Sequence, residues 1–492
     1  MADHTKDVES SETDETLTPA EIERLGRQRP DVFKSALSEW LFVFSVVASL
    51  LMSEYLVSGF NLVQPTVAAA LDIPESALTW PTSVFSLIVG AFLLPVGRLA
   101  DMYGAYYLYM IGMVWFLLWS FVAGFSQNYE MLIATRVLGG FGPAAFLPAS
   151  MALMGKTYRP GPRKNLVFGI HGAVSPLGFF FGILLGGVTG QCMTWRWYFW
   201  LGSIVLAVAC VTAFFSIPND RHEERPKGLS MDYWGTATVV PALVLIVFAL
   251  TEGSHAPDGW RTPYILATFI PGVLLLAAFI YIEGWVAACP LLPFDLFKPK
   301  HMGKMVISLF FAYGTFGVFL FYASYHIQTV MNIPPLLTAM WFAPMAVGGI
   351  VIALVGGFTL HILPGRILFI ISGLGHLASA LLFALIPDGA NFWAFIFPAM
   401  IAATIGIDIT WNVSNVQGVA GAVICSLLFL GISFFLGIAD LVVGEVKNHG
   451  QDNSEKVAFY VATATAGISL ILFAFIDVGK ATSQRQRAEA AR

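Results

Sequence analysis

Residues 97–104 read Gly97-Arg98-Leu99-Ala100-Asp101-Met102-Tyr103-Gly104, between two apolar runs at 80–99 and 106–124. The bounding glycines let the chain reverse within a few residues, so the two runs must return alongside each other. About twenty apolar residues in a helix rising 1.5 Å each span the roughly 30 Å hydrocarbon core of a bilayer. The stretch therefore reads as the short link of a membrane hairpin. Working outward, apolar runs of comparable length recur at 41–62, 131–154, 165–188, 197–216, 236–251, 263–283, 305–325, 335–357, 366–386, 391–411, 418–443 and 456–478. Fourteen crossings are expected, the seventh being the shortest.

Composition supports this reading. The 492 residues are 57% hydrophobic and 12% charged, with a mean hydropathy of +0.74, whereas soluble domains carry about 25% charged residues to cover their surfaces. A net charge of -5 without a dense basic face excludes nucleic acid as a partner. Cys192, Cys210, Cys289 and Cys425 lie far apart without metal-ligand spacing and are expected to be small apolar residues. Residues 1–31 are acidic and Ser/Thr-rich and contain no apolar core. They read as a disordered cytoplasmic tail, neither a cleaved signal nor an anchor.

Positive charge tests the count independently, because cytoplasmic segments concentrate Lys and Arg. With the N-terminus inside, cytoplasmic segments hold twenty-one of the twenty-six basic residues, and outer loops hold Arg196, Arg261, Lys447 and Lys456. The last, Arg136, falls inside the fourth run. The aromatic cluster 195–200 at the start of the sixth run reads as interfacial anchoring.

The two halves echo each other. Gly357 through Pro364-Gly365-Arg366 weakly repeats the first loop, and His171-Gly172-Ala173-Val174 with Gly178–Gly182 finds a counterpart in Ala420-Gly421-Ala422-Val423 with Ser433–Gly437. Internal repetition of this kind accompanies alternating-access transporters.

Three motifs carry a family resemblance. Gly97–Gly104 resembles the second-loop motif Gly-x-Leu-Ala-Asp-x-x-Gly of the major facilitator superfamily. Arg136-Val137-Leu138-Gly139-Gly140-Phe141-Gly142 resembles its fourth-helix motif, and Gly178-x-x-x-Gly182-Ile183-x-x-Gly186-Gly187 resembles its antiporter motif. Over residues 40–480 the chain is similar to the fourteen-helix drug:proton antiporter branch, above all to its fungal members. Two departures stand out. Met102, Ala105 and Tyr106 occupy positions that are usually basic in the second-loop motif, and Ile183 replaces the antiporter proline, with Pro176 an alternative source of a bend.

The resemblance implies an all-α membrane protein with two six-helix bundles and two inserted helices. The expected divisions are a tail at 1–39, bundles at 40–216 and 301–479, inserted helices with their loops at 217–300, and a second cytoplasmic tail at 480–492. Gly97, Asp101 and Gly104 would form a conformational switch, with Asp101 capping the positive end of the thirteenth helix near Gly418. Gly178, Gly182, Gly186 and Gly187 would mark an exporter.

Other candidates follow from the residues themselves. An arginine within a membrane helix costs about 2.5 to 3.5 kcal/mol, so Arg136 needs a partner. Glu54 is the best match in depth, at roughly 12 Å from the outer end against roughly 8 Å for Arg136. The pair reads as proton-coupling, with a static ion pair as the alternative. His376 and Tyr322 are possible substrate or proton sites, while packing explains His171. Asp408 and Asp440 are expected near helix ends, in reach of water. Glycines at every fourth residue from Gly178 form a stripe on which one half could rock. Most aromatic residues of the ninth run are expected to face lipid.

The expected function is proton-coupled efflux of a small hydrophobic or amphipathic compound by a monomeric protein, with no cofactor and the proton gradient as energy source. Uptake of a small polar solute such as ammonium or borate is the alternative. Partners are the bilayer, the substrate and protons. The expected location is the plasma membrane, or alternatively the vacuolar membrane. A membrane enzyme would need a paired acid/base or metal constellation, and neither H-E-x-x-H nor G-x-S-x-G occurs.

Overall fold

Ser35 opens the first membrane helix. Its hydroxyl accepts from the Ser38 amide at 3.1 Å while the Ser38 hydroxyl accepts from the Ser35 amide at 3.2 Å. This reciprocal cap satisfies donors that a helix start leaves orphaned. The computed structural model describes residues 24–218, 228–416, 421–449 and 454–477, and no β-strand occurs among them. Fourteen of its helices are long and apolar enough to cross a bilayer.

In chain order they are α1 (Ala36–Ala70), α2 (Trp80–Tyr103), α3 (Ala105–Ala123), α4 (Tyr129–Thr157), α5 (Pro162–Cys192), α6 (Arg196–Ser216) and α7 (Tyr233–Glu252). There follow α8 (Pro263–Tyr281), α9 (Met302–Tyr325), α10 (Pro335–Trp341 continuing as Ala343–Ile362), α11 (Gly365–Ala384), α12 (Phe397–Val416), α13 (Gly421–Asn448) and α14 (Ser454–Ala474). Each expected run is a helix, and most helices overrun the apolar stretch. A helix bonds its own backbone, so it can continue past the hydrocarbon into the interface. Polar caps then end or begin it, as at Asn128, whose side chain accepts from the Met131 amide at 2.9 Å.

The link between α2 and α3 is a single residue. Gly104 has φ 114°, in the region that favours glycine, and its amide still bonds the Ala100 carbonyl at 2.9 Å.

Within the first six helices, α1 packs on α5 and α6, and α4 packs on α2 and α3; within the last six, α9 packs on α13 and α14, α11 on α12 and α14, and α10 on α12. The two sets meet where α2 lies on α13 and α5 on α10. The pair α7 and α8 lies at the seam, with α7 against α2 and α13. Of α8 only Ile265 and Gly272 are buried. Lipid is as apolar as leucine, so nothing drives its other side chains inward. The ninth helix behaves in the opposite way. Tyr313, Phe316, Phe319 and Tyr322 are all buried, which corrects the expectation that its aromatic residues face lipid: α9 is wedged between α13 and α14.

We call the side of the protein from which α1 starts the near face and the opposite side the far face. On the far side the two sets of helices are joined by direct bonds. Ser83 and Ser433 hydroxyls lie 2.9 Å apart, Gln328 Nε2 donates to the Leu62 carbonyl at 2.9 Å, and the Leu336 amide donates to Gln191 Oε1 at 3.0 Å. Lys447 also pairs with Glu75.

Candidate functional site

The glycines of α5 decide how closely it approaches α1. A Cβ at Gly178 would lie 2.7 Å from the Leu51 carbonyl oxygen, one at Gly182 2.5 Å from that of Tyr55, and one at Gly186 2.7 Å from that of Gly59. No larger residue fits without moving a backbone. The stripe therefore joins two helices of the same half, which corrects the reading of it as the surface between halves. Of the four motif glycines, Gly187 is the one that faces the other half, where its Cβ would lie 2.7 Å from that of Ala339 on α10.

Between the two sets of helices lies a cavity of about 780 Å³. Phe179 and Phe316, with ring centroids 5.8 Å apart, stand at its far-side end. In the other direction its lining reaches Asn165, Asn415 and Gly421, within a turn of the near-face ends of α5, α12 and α13. The walls are mostly apolar. Two carboxylates enter them, Glu54 from α1 and Asp408 from α12, and no Lys or Arg does so among the described residues.

Glu54 has the Ser175 hydroxyl of α5 beside it, and Asp408 is close enough to feel the charge of Glu54. A Cβ placed on Gly349 would meet Asp408 Oδ2 at 3.0 Å and Pro176 at 2.9 Å. The Asp408 carboxylate thus lies where α5, α10 and α12 converge. His171, read as packing, is buried at the cavity wall, and its Nε2 has no hydrogen-bond partner.

Arg136 is elsewhere. Its guanidinium is sandwiched between the rings of Phe60 and Phe85, 4.2 and 4.3 Å from their centroids. Nε donates to the Pro81 carbonyl at 3.0 Å and Nη1 to the Leu56 carbonyl at 3.1 Å. The expected pair with Glu54 does not form. Depth matched, but direction did not: at 3.6 residues per turn Leu56 points about 200° away from Glu54 around α1. Arg136 meets one side of that helix and the cavity meets the other. Backbone carbonyls and two aromatic faces replace the carboxylate as its partners.

His376 and Tyr322 do not line the cavity either. His376 is 1% exposed, pressed against α12 so closely that a Cβ on Gly406 would lie 2.8 Å from its ring. Tyr322, also buried, packs edge-on against Phe459. Asp101 is exposed at the near-face end of α2, and Gly418 lies outside the described residues. Gly97 makes ordinary contact with Pro148 of α4, at 3.4 Å for an added Cβ.

The residues missed in the sequence are those of α12. Thr404, Asp408, Trp411, Asn412 and Asn415 all line the cavity, with the three steps 404–408, 408–411 and 412–415 at the three- and four-residue spacing of one helical face and Trp411 beside Asn412. The apolar run ends at residue 411, which predicts a helix-end position for Asp408, in reach of water. The helix continues to Val416, and Asp408 lies two turns inside it. Asp440 is likewise internal to α13 and buried.

A family model described as the Major Facilitator Superfamily matches residues 43–424. The chain belongs to the major facilitator superfamily. It is 30% identical to "Efflux pump terJ" of Aspergillus terreus over 96% of this chain and 94% of that protein. It is 31% identical to "Low affinity ammonium transporter" of Saccharomyces cerevisiae over 83% of this chain and 84% of that protein. Among solved structures, a crystal structure of the peptide transporter POT in complex with sulfate superposes with a TM-score of 0.63, at 17% identity, over 92% of this chain and 97% of that one. This last likeness bears on the fold alone. The protein is thus a multi-pass membrane transporter of this superfamily, handling a small-molecule substrate.

Proposed function

We propose that this transporter exports a small hydrophobic or amphipathic compound in exchange for protons, with Glu54 carrying the proton. The observation that carries the reading is a largely apolar cavity of about 780 Å³ with Glu54 and Asp408 in its wall and no Lys or Arg lining it among the described residues. Apolar walls suit a greasy body, and carboxylates with no basic partner among the described residues favour a cationic or donor-rich group over an anion. A carboxylate that can bind either substrate or proton supplies the competition antiport needs. Similarity to an efflux pump over nearly the full length supports export.

In this reading the bundles 40–216 and 301–479 move against each other, the near face is cytoplasmic, and the conformer described here faces inward. Both termini are cytoplasmic, the plasma membrane is the site of action, the monomer is the working unit, and the proton gradient drives transport without a cofactor. Uptake of ammonium or another small polar solute is the second reading, favoured by the 31% identical relative, but the cavity is far larger than such a solute requires.

The test is transport into proteoliposomes under an imposed pH step, with a panel of lipophilic amines, ammonium and borate. Glu54→Gln should abolish gradient-driven accumulation while sparing substrate exchange. Full coupling in Glu54→Gln moves the proton to another group, and Asp408 is the next to replace. Movement of ammonium or borate alone would favour the second reading.

A further inference from the structure

A second pair of carboxyl groups lies outside the cavity, in the inserted hairpin. Asp232 precedes α7 and is 7% exposed; Glu283 lies in the π-turn Ile282–Val286 that continues α8 and is 4% exposed. Asp232 Oδ1 accepts from the Gly235 amide at 2.8 Å, capping α7. Glu283 Oε1 accepts from the Leu291 amide at 3.2 Å and Oε2 from the Leu292 amide at 2.9 Å. These contacts leave Asp232 Oδ2 buried without a partner. It lies beside Glu283: a single Cβ placed on Gly235 would meet both Asp232 Oδ2 and, at 2.9 Å, Glu283 Oε1. The two carboxyl groups are within hydrogen-bonding reach of each other.

Among the described residues, no Lys, Arg or His forms an ion pair with either group. Of the charged and titratable groups on the neighbouring segments, Arg98 is held by the carbonyls of Pro290 at 2.5 Å and Cys289 at 3.5 Å. Asp295 and Lys298 pair with each other at the surface. Tyr233 and Tyr281 are exposed, and the Cys289 thiol bonds the Gly228 carbonyl. Two ionised carboxylates cannot share a buried site without a cation, since like charge and desolvation both oppose the second ionisation. An ionised carboxylate is also acceptor-only, so the orphaned oxygen finds a partner only if one group of the pair is protonated.

We propose that Asp232 and Glu283 hold one proton between them, forming a protonation site that fastens the 287–292 loop to the hairpin and, through Pro290, to Arg98 at the near-face end of α2. Loss of the proton sets two negative charges against each other and drives Glu283 from the Leu291 and Leu292 amides. The loop then loosens its hold on Arg98, which stands in the second-loop motif three residues before Asp101. The strap thus ties the inserted hairpin to a helix that lies on α13 at the seam.

Hydrogen exchange of the full-length protein in lipid nanodiscs, corrected for the intrinsic pH dependence of exchange, reads the strap directly at the Leu291 and Leu292 amides. Wild-type protection should fall by about tenfold per pH unit once the shared proton is lost, as expected for one linked proton. Glu283→Gln keeps its carbonyl for the Leu292 amide and turns its own N–H toward Asp232 in place of Oε1, so protection of the Leu292 amide should persist across the same range. Glu283→Ala should be unprotected throughout. Infrared difference spectra should show one protonated carboxyl fewer in Glu283→Gln than in wild type. Wild-type protection that ignores pH, or equal pH dependence in Glu283→Gln, overturns the proposal. Restoration of protection at high pH by added sodium or potassium also overturns it, by making the ligand a metal cation instead of a proton.

Discussion

His255 Nε2 lies 3.1 Å from Asp440 Oδ2, joining the loop after α7 to the buried face of α13 on the far side. Around this contact, Asn448 Nδ2 donates to the Ser254 carbonyl at 3.2 Å and Trp80 Nε1 donates to Glu252 Oε1 at 2.7 Å. Three parts of the chain (α2, the inserted hairpin and α13) are thereby clasped where the far side is closed.

The clasp is pH-sensitive, with a defined sign. The hydrogen bond to Asp440 holds the His255 pKa above its ordinary 6.5. A group whose pKa is raised on folding contributes stability that is complete below its unfolded value and is lost as pH rises through the folded value. The melting-temperature difference between wild type and His255→Gln should therefore be largest below about pH 6.5 and shrink as the pH rises above it. A difference that grows with pH would contradict the assignment.

Arg136 is expected to act on stability and not on coupling. Lysine keeps the charge but cannot place two directed N–H groups on the Leu56 and Pro81 carbonyls while lying flat between two rings. Arg136→Lys should lose about 1–3 kcal/mol, the scale of a charge-assisted hydrogen bond. In thermal unfolding this appears as a lowered midpoint, while the surviving folded protein keeps its proton-to-substrate ratio. A variant of normal stability that transports without coupling would return Arg136 to the proton pathway.

Gly182 and Gly187 separate packing from motion. Gly182→Leu must push α5 off the Tyr55 carbonyl within one half, a steric cost of about 1–3 kcal/mol, and should lower stability together with transport. Gly187→Leu collides with Ala339 across the two halves. It should leave the fold intact but disfavour the conformer closed at the far side, read as increased thiol labelling of a cysteine placed among the cavity residues from the far face. Wild-type turnover in Gly187→Leu would remove this contact from the moving surface.

Topology is testable with single cysteines in a cysteine-free background. Arg159, between α4 and α5, and His449, after α13, are both exposed and on opposite faces. With an impermeant thiol reagent on intact cells, only the cysteine at 449 should label. Labelling at 159 alone would invert the orientation.

What the sequence determined by itself is the part of the fold set by transfer between water and lipid. Each long apolar run had to become a helix because a backbone in hydrocarbon must bond itself, and the run count, the short link at Gly104 and the spacing of Gly178, Gly182 and Gly186 were all readable without coordinates. Depth along a helix was readable too, since it is a count of residues. Direction around the helix was decided only by the tertiary structure. Glu54 and Arg136 lie at similar depth yet on different sides of α1, and Asp408 became a cavity residue only because α12 continues beyond the apolar run to Val416. Asp232 and Glu283, some fifty residues apart, meet only because α7 and α8 return alongside each other. Hydrophobicity selects which segments enter the bilayer, but in lipid it does not select which faces meet. That choice rests on backbone approach at small residues and on the few polar groups that must find partners.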